Sequence, residues 1–366
     1  MSGGYDMKNT FGNSIAVTLF GESHGKAIGA VIDGLAPGID VDEEKIKMYL
    51  SRRRPSMATD TPRKEPDDFR IVSGVFKGKT CGTPVTIIIP NADLRSKDYE
   101  YGPARPSHAD FAAHAKYHGF EDYRGGGHFS GRITAAVVAA GGILLPALEK
   151  KGILIGTHIA RCKDICDRAF DDHEKDIASL QTKMFPVLDD EAGEKIYETI
   201  VAAGEDRDSI GGITETAVTG LEAGLGEPWF DSVESRISHA VFGIGAVKGI
   251  EFGAGFEMAL KRGSEVNDQI RVEDGRYHTL TNNNGGINGG ITNGMPVTFR
   301  CAVKPTPTIA RPQQTVNFIT GENIEMTAKG RHDPAIIRRI CPVIDSITAI
   351  VISDMLCTRY GTDWLA

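Results

Sequence analysis

The chain has 366 residues, 40% hydrophobic and 25% charged, ordinary values that exclude a collagen-like, coiled-coil or disordered protein. Lys and Arg number 41 against 49 Asp and Glu, a net charge of -8, which argues against a nucleic-acid partner held through phosphate contacts. Roughly 150 residues per domain allows about two domains, yet no repeat or low-complexity linker divides the sequence, so one compact catalytic unit over 1–366 is expected.

The first ten residues carry Asp6 and Lys8 and no apolar core, so no secretory signal is read there and a cytoplasmic location is expected. Runs of β-branched residues predict strands at 16–20, 28–32, 70–76, 83–89, 153–159, 214–219 and 296–303. A helix is expected from Asp40, where Asp40 and Glu43 fit a capping box and Ile46, Tyr49 and Leu50 share a face. Further helices are expected at 109–118, ended by Gly119, at 132–149, 194–203 and 231–241, and from Pro334 onward. The charged, glycine-poor stretch near 161–208 reads as a peripheral helical insertion. Strands often follow strands directly, which favours an α+β arrangement with antiparallel sheets. The apolar uncharged run 133–148 is short for a membrane span and is broken by Gly141, Gly142 and Pro146. Six cysteines are too few for a disulfide framework and read as reduced thiols; Cys162 and Cys166 lack a second pair for zinc, and no metal site is expected.

Three motif-like segments lead elsewhere. Residues 73–80 approach a phosphate loop, but Gly74 stands one residue too close to Gly78 and the segment leads into a strand, so a hairpin is expected. His114 and His118 stand four apart without the glutamate of a zinc peptidase, and read as solvated or packed. Ser130 lies near His128 without a nucleophile elbow, and no dinucleotide glycine fingerprint occurs.

The residues that point to chemistry are glycines beside basic groups. Gly21 and Gly25 bracket Glu22, Ser23 and His24 between strands, where backbone room lets a side chain meet a ligand. Arg52, Arg53 and Arg54 end the first helix; Arg105 precedes His108 and Asp110; Arg124 and Arg132 flank Gly125, Gly126, Gly127, His128, Phe129 and Ser130. That last stretch opens a helix, whose free N–H groups suit an anion, and Ser130 fits either the N-cap or a ligand contact. Residues 284–294 are glycine-rich enough to lay backbone against a flat ring. Lys304, Pro305, Thr306, Pro307 and Thr308 offer donors on a stiff chain. Asp333 before Pro334 fits either a helix start or a site group.

Taken in order, the segments 21–25, 52–55, 105–110, 124–132, 243–249, 284–294, 304–308 and 329–334 resemble the chorismate synthase family, over nearly the whole chain. The resemblance implies an α+β fold, a helical layer sandwiched between antiparallel β-sheets, assembled as a homotetramer. It implies elimination of phosphate and a ring hydrogen from 5-enolpyruvylshikimate 3-phosphate to give chorismate, with reduced FMN and no net redox change, in the shikimate pathway of aromatic amino-acid biosynthesis. By that likeness His24 would protonate the departing phosphate, His108 would face the flavin N1 region, and Ser23, Ser130 and Asp333 would relay a proton near N5. Arg53, Arg105, Arg132 and Arg331 would bind substrate or NADP, and the flavin cradle would include His128, Phe129, Ser130, Gly245, Ala246, Gly289, Lys304, Pro305, Thr306, Pro307, Thr308 and Arg331. Without an appended reductase domain, an external flavin reductase is the expected source of reduced flavin. Three departures stand out: His128 and Phe129 where many members have arginine and a small residue, Ser107 in place of glycine, and Thr59 near the place of a further arginine, with Arg63 close by. A rival expectation is a catalytically impaired flavin- or phosphate-binding relative.

Overall fold

The computed structural model describes residues 8–57, 59–61, 65–93, 99–328 and 333–366. Every strand pairing among them is antiparallel. The first sheet joins β1 (Thr10–Phe11), β2 (Ala16–Gly21), β3 (Ala27–Asp33), β7 (Val85–Pro90) and β4 (Arg70–Ser73) in that order, with β5 (Val75–Phe76) and β6 (Lys79–Thr80) as a side ribbon. The second has the order β11 (Val247–Phe252), β16 (Val297–Val303), β10 (Gly212–Thr219), β8 (Leu154–Cys162), β9 (Ile165–Cys166). Three ribbons complete the strands: β12 (Ile270–Glu273) with β13 (Arg276–Thr279), β14 (Ile287–Asn288) with β15 (Ile291–Thr292), and β17 (Pro312–Asn317) with β18 (Glu322–Thr327). The helices are α1 (Glu43–Arg53), α2 (Asp110–Tyr117), α3 (Thr134–Lys150), α4 (His173–Thr182), α5 (Asp190–Glu205), α6 (Val233–Val241), α7 (Gly263–Val266) and α8 (Ile337–Tyr360).

Side-chain alternation builds the layers. Ile28, Ala30 and Ile32 of β3 with Val85, Ile87 and Ile89 of β7 turn one face of the first sheet inward; Ile155, Ile159, Val218, Val297 and Phe299 do so for the second. α3 packs on the first sheet, α8 on the second, and the two helices pack on each other with α1 alongside. Each fully buried Ile or Phe contributes about 1.5–3 kcal/mol. Two glycines let this layer close: a Cβ at Gly141 would stand 2.3 Å from that of Ser346 in α8, and one at Gly142 would stand 3.0 Å from the Ile46 Cα in α1. Residues 131–150 and 337–360 are long and apolar enough to cross a bilayer, and both are buried in this core. The architecture is the expected α+β sandwich. All six cysteines are free thiols.

Element ends differ from expectation where a neighbour claims the residue. Asp42, not Asp40, caps α1, accepting from the Glu44 and Lys45 N–H groups; Asp40 instead pairs with Lys79 and Lys150. The strand expected at 70–76 breaks at Gly74, which takes φ +81; the chain then forms the expected hairpin through Lys77 and Gly78, both at positive φ. Ser232 caps α6 through the Ser235 N–H, so that helix starts at Val233. α8 starts at Ile337, because the Asp333 carboxylate is engaged elsewhere.

Within 161–208, α4 lies over β8, with Ile177 against Gly156. Beneath it His158 is wholly buried between two carboxylates, Nδ1 at 2.8 Å from Asp167 and Nε2 at 3.1 Å from Glu215. Burial alone pushes this imidazole down, but the two carboxylates outweigh it and hold it above its ordinary value.

Candidate active site

A cavity of about 1880 Å³ opens between the first sheet, the glycine turn before α3, and α8. The turn at 125–127 sets its geometry. Gly125, Gly126 and Gly127 all take positive φ, at 59°, 81° and 53°, a succession that side-chain-bearing residues rarely adopt. A Cβ at Gly125 would stand 2.3 Å from the His24 ring, and one at Gly126 would stand 3.1 Å from His108 Cε1. The turn is therefore wedged between the two histidines expected to do proton chemistry. Ser23 and His24 are buried behind Gly125, with Tyr99 packed edge-on to His24 at 5.1 Å between ring centres. The stretch opens a helix as expected: Ser130 caps a short 3-10 turn (Gly131–Ile133) through the Arg132 N–H, and that turn runs directly into α3 at Thr134.

Three ion-pair clusters stand around the turn. In the first, Asp67 takes Arg53 on one oxygen at 2.9 Å and Arg132 on the other, while Arg132 Nε donates to Asn91 Oδ1 at 3.0 Å. All three charged groups are buried. Burial raises Asp67, but the two guanidinium groups outweigh it and hold the carboxyl below its ordinary range; burial pulls Arg53 down to about 10 against the attraction of Asp67. In the second, Asp110 binds Arg105 through Nε at 2.8 Å and Nη2 at 2.7 Å, and meets His108 Nδ1 at 2.7 Å. In the third, Asp333 receives Arg339 Nη1 at 2.8 and 2.7 Å on its two oxygens and the Thr61 N–H at 2.8 Å. Arg339 also donates to the Arg53 carbonyl at 2.9 Å, which ties the third cluster to the first.

The opposite wall is largely backbone. Gly243, Ile244, Gly245 and Ala246 line it with Lys304, Thr306, Pro307 and Thr308. The Lys304 N–H donates to the Ala246 carbonyl at 2.9 Å, and Ser209 holds the Thr306 carbonyl at 2.6 Å. Pro305 lies over Gly211, where a Cβ would stand 2.9 Å from its nitrogen. His128, Phe129 and Ser130 also line the cavity. His128 Nδ1 donates to the Gly21 carbonyl at 2.7 Å, so its free edge is Nε2.

Of the residues expected at the site, His108, Arg53, Arg105, Arg132, His128, Phe129, Ser130, Gly245, Ala246, Lys304, Thr306, Pro307, Thr308 and Asp333 line this one cavity. Four do not line it: Ser23 and His24 lie buried behind Gly125, Pro305 lies over Gly211, and Gly289 sits in the β14–β15 turn. Arg331 and Arg63 lie outside the described residues. Sequence reasoning missed Asp67, Arg339 and the role of Asp110. Arg338 and Arg339 at the head of a mostly apolar helix were the available signal for one of them.

Guanidinium groups and histidines gathered around one cavity are the equipment of an enzyme that handles an anion. The sequence model of the family described as chorismate synthase matches residues 15–357. The chain is 45% identical over 350 residues to the chorismate synthase of Pyrococcus abyssi, covering 95% of this chain and 97% of that one. It is 44% identical over 349 residues to that of Methanosarcina barkeri, covering 94% and 95%. A solved structure titled as a crystal structure of chorismate synthase superposes with TM-score 0.76 at 30% identity, over 96% of this chain and 94% of that one. This chain belongs to the chorismate synthase family.

Proposed function

We propose that the chain catalyses the 1,4-anti elimination of phosphate and a ring hydrogen from 5-enolpyruvylshikimate 3-phosphate, giving chorismate with reduced FMN as bound cofactor and no net redox change. The observation that carries this reading is the glycine turn wedged between His24 and His108 at the edge of a cavity rimmed by Arg53, Arg105 and Arg132. Its volume of about 1880 Å³ exceeds the roughly 300–1,000 Å³ that serves one drug-sized ligand, so a flavin and a substrate fit together. A Cβ at Gly245 would meet nothing within 4 Å, so backbone there is open to a ring. The residues present fit the cofactor.

Reduced FMN, when bound, supplies the electron density that carbon–oxygen cleavage demands. The chain's own groups bind, orient and move protons. Arg53, Arg105 and Arg132, with Arg331, pair the phosphate and carboxylates, whose desolvation otherwise costs several kcal/mol each. His24 delivers a proton to the departing phosphate. His108, Ser23, Ser130 and Asp333 would hold or relay the protons that the bound flavin requires. His128, Phe129, Gly245, Ala246, Lys304, Thr306, Pro307 and Thr308 would cradle the cofactor.

Reduced flavin comes from an external reductase in this reading, in the cytoplasm, rather than from NADPH bound here. The active form is a homotetramer in this reading, and Trp229 and Phe230, 83% and 89% exposed, are residues that such an assembly would cover. The test is anaerobic turnover of 5-enolpyruvylshikimate 3-phosphate with dithionite-reduced FMN beside an oxidised-FMN control. Turnover with reduced FMN alone is expected. A folded chain that binds FMN and forms no chorismate is instead the impaired relative, and aerobic NADPH-driven turnover without added reductase overturns the external source.

A further inference from the structure

The Asp110 carboxylate is saturated by donors. Oδ2 takes the Arg105 backbone N–H at 3.0 Å and Nε–H at 2.8 Å; Oδ1 takes Arg105 Nη2 at 2.7 Å and faces His108 Nδ1 at 2.7 Å. Burial raises this carboxyl, but Arg105 and His108 outweigh it, so Asp110 is held well below the ordinary carboxylate range. An ionised carboxylate only accepts hydrogen bonds, so His108 Nδ1 must carry the proton it shares with Asp110. Arg105 Nη2 stands 3.1 Å from the same nitrogen; it has no lone pair to offer and serves the carboxylate. The Nε2 edge lies beside Gly126, where a Cβ would stand 3.3 Å from it, and His108 and Gly126 both line the cavity.

We propose that Asp110 is a positioning residue for the proton chemistry of His108: it fixes the Nδ1–H tautomer, turns Nε2 toward the cavity, and stabilises the imidazolium when Nε2 takes up a proton. Arg105 neutralises part of the Asp110 charge through both carboxylate oxygens, so the carboxylate orients the imidazole while remaining ionised. The proton gained at Nε2 leaves by the same edge, and Nδ1 keeps its own throughout. The catalytic consequence rests on the proposed function; the tautomer does not.

The test uses the flavin-free protein labelled with ¹⁵N-histidine, in which nitrogen shifts report which ring atom bears hydrogen. Wild type is expected to carry it on Nδ1. Asp110→Asn turns an amide N–H toward the ring and is expected to move it to Nε2, whereas Asp110→Glu keeps an acceptor and the original tautomer. With substrate and reduced FMN, Asp110→Asn is expected to lower kcat by about 10²–10⁴-fold with KM little changed, and to have no further effect in a His108→Ala background. A wild-type proton on Nε2, an unchanged tautomer in Asp110→Asn, or an equal loss in both backgrounds overturns the proposal. A wild type without turnover defeats the proposed function instead, and the ¹⁵N result still decides the role of Asp110.

Discussion

Lys304 Nζ donates to the backbone carbonyl of Ser107 at 2.6 Å, which fastens the 304–308 segment to the turn that presents His108. Ser107 sits at φ +60, the left-handed region in which a side chain costs about 1–2 kcal/mol. Glycine escapes that cost but brings back about 0.5–1 kcal/mol of chain entropy. Ser107→Gly is therefore expected to raise stability by about 0.5–1 kcal/mol, read from the urea midpoint, with turnover retained. A lower midpoint means the serine hydroxyl holds the turn.

Asp67 neutralises two buried arginines at once. Asp67→Asn leaves both with a neutral partner, and removing one member of a buried ion pair typically costs about 3–5 kcal/mol. The midpoint is expected to fall accordingly, with turnover lost even where the fold persists at low temperature. A midpoint within about 1 kcal/mol of wild type would mean that water or Glu65 takes over the compensation.

Gly125 admits no side chain. Gly125→Ala places a methyl 2.3 Å from the His24 ring and 3.0 Å from Ser23 Oγ, at φ +59. Chorismate formation is expected to fall by more than about 100-fold, the scale on which one displaced general acid acts, while far-UV dichroism stays near wild type. Full activity would show that His24 works from another position.

The His158 clasp gives stability a pH dependence with two limbs. His158 is raised from 6.5, so its contribution is complete below that value and is lost as pH rises through the raised one. Asp167 is lowered from 3.8 because bonds from His158, Leu188 and Asp189 overcome burial; its contribution holds above 3.8 and fades as pH falls through the lowered value. Urea midpoints measured between about pH 6 and 9 are expected to decline on the alkaline side, and His158→Phe to flatten that limb. An unchanged limb in the variant places the titration elsewhere.

Much of the fold was legible because its central strands are β-branched on the core face. Residues 28–32, 83–89 and 296–303 were read within two residues of β3, β7 and β16. β12, β13, β17 and β18 were not, since these exposed ribbons carry at most two apolar residues on a face, too short a period to stand out from the polar residues around them. The basic half of the site was visible as arginines and histidines beside glycines. Its acidic half was not: Asp67 meets Arg132 across 65 residues of sequence, and nothing local marks an acid as the partner of a distant guanidinium. Asp110 was the exception, two residues from His108, where spacing alone did not tell a helix-start acid from an orienting one.

α8 packs against α1, α3, α6, β8 and β10, and it follows all of them in the chain. Synthesis at about 5–20 residues per second therefore delivers the cover of the second sheet after the helices and strands it packs against. Until then the second sheet and the α8-facing side of α3 lack their cover, and Gly141 has no Ser346 to meet. Closure of the central layer waits on a single late segment.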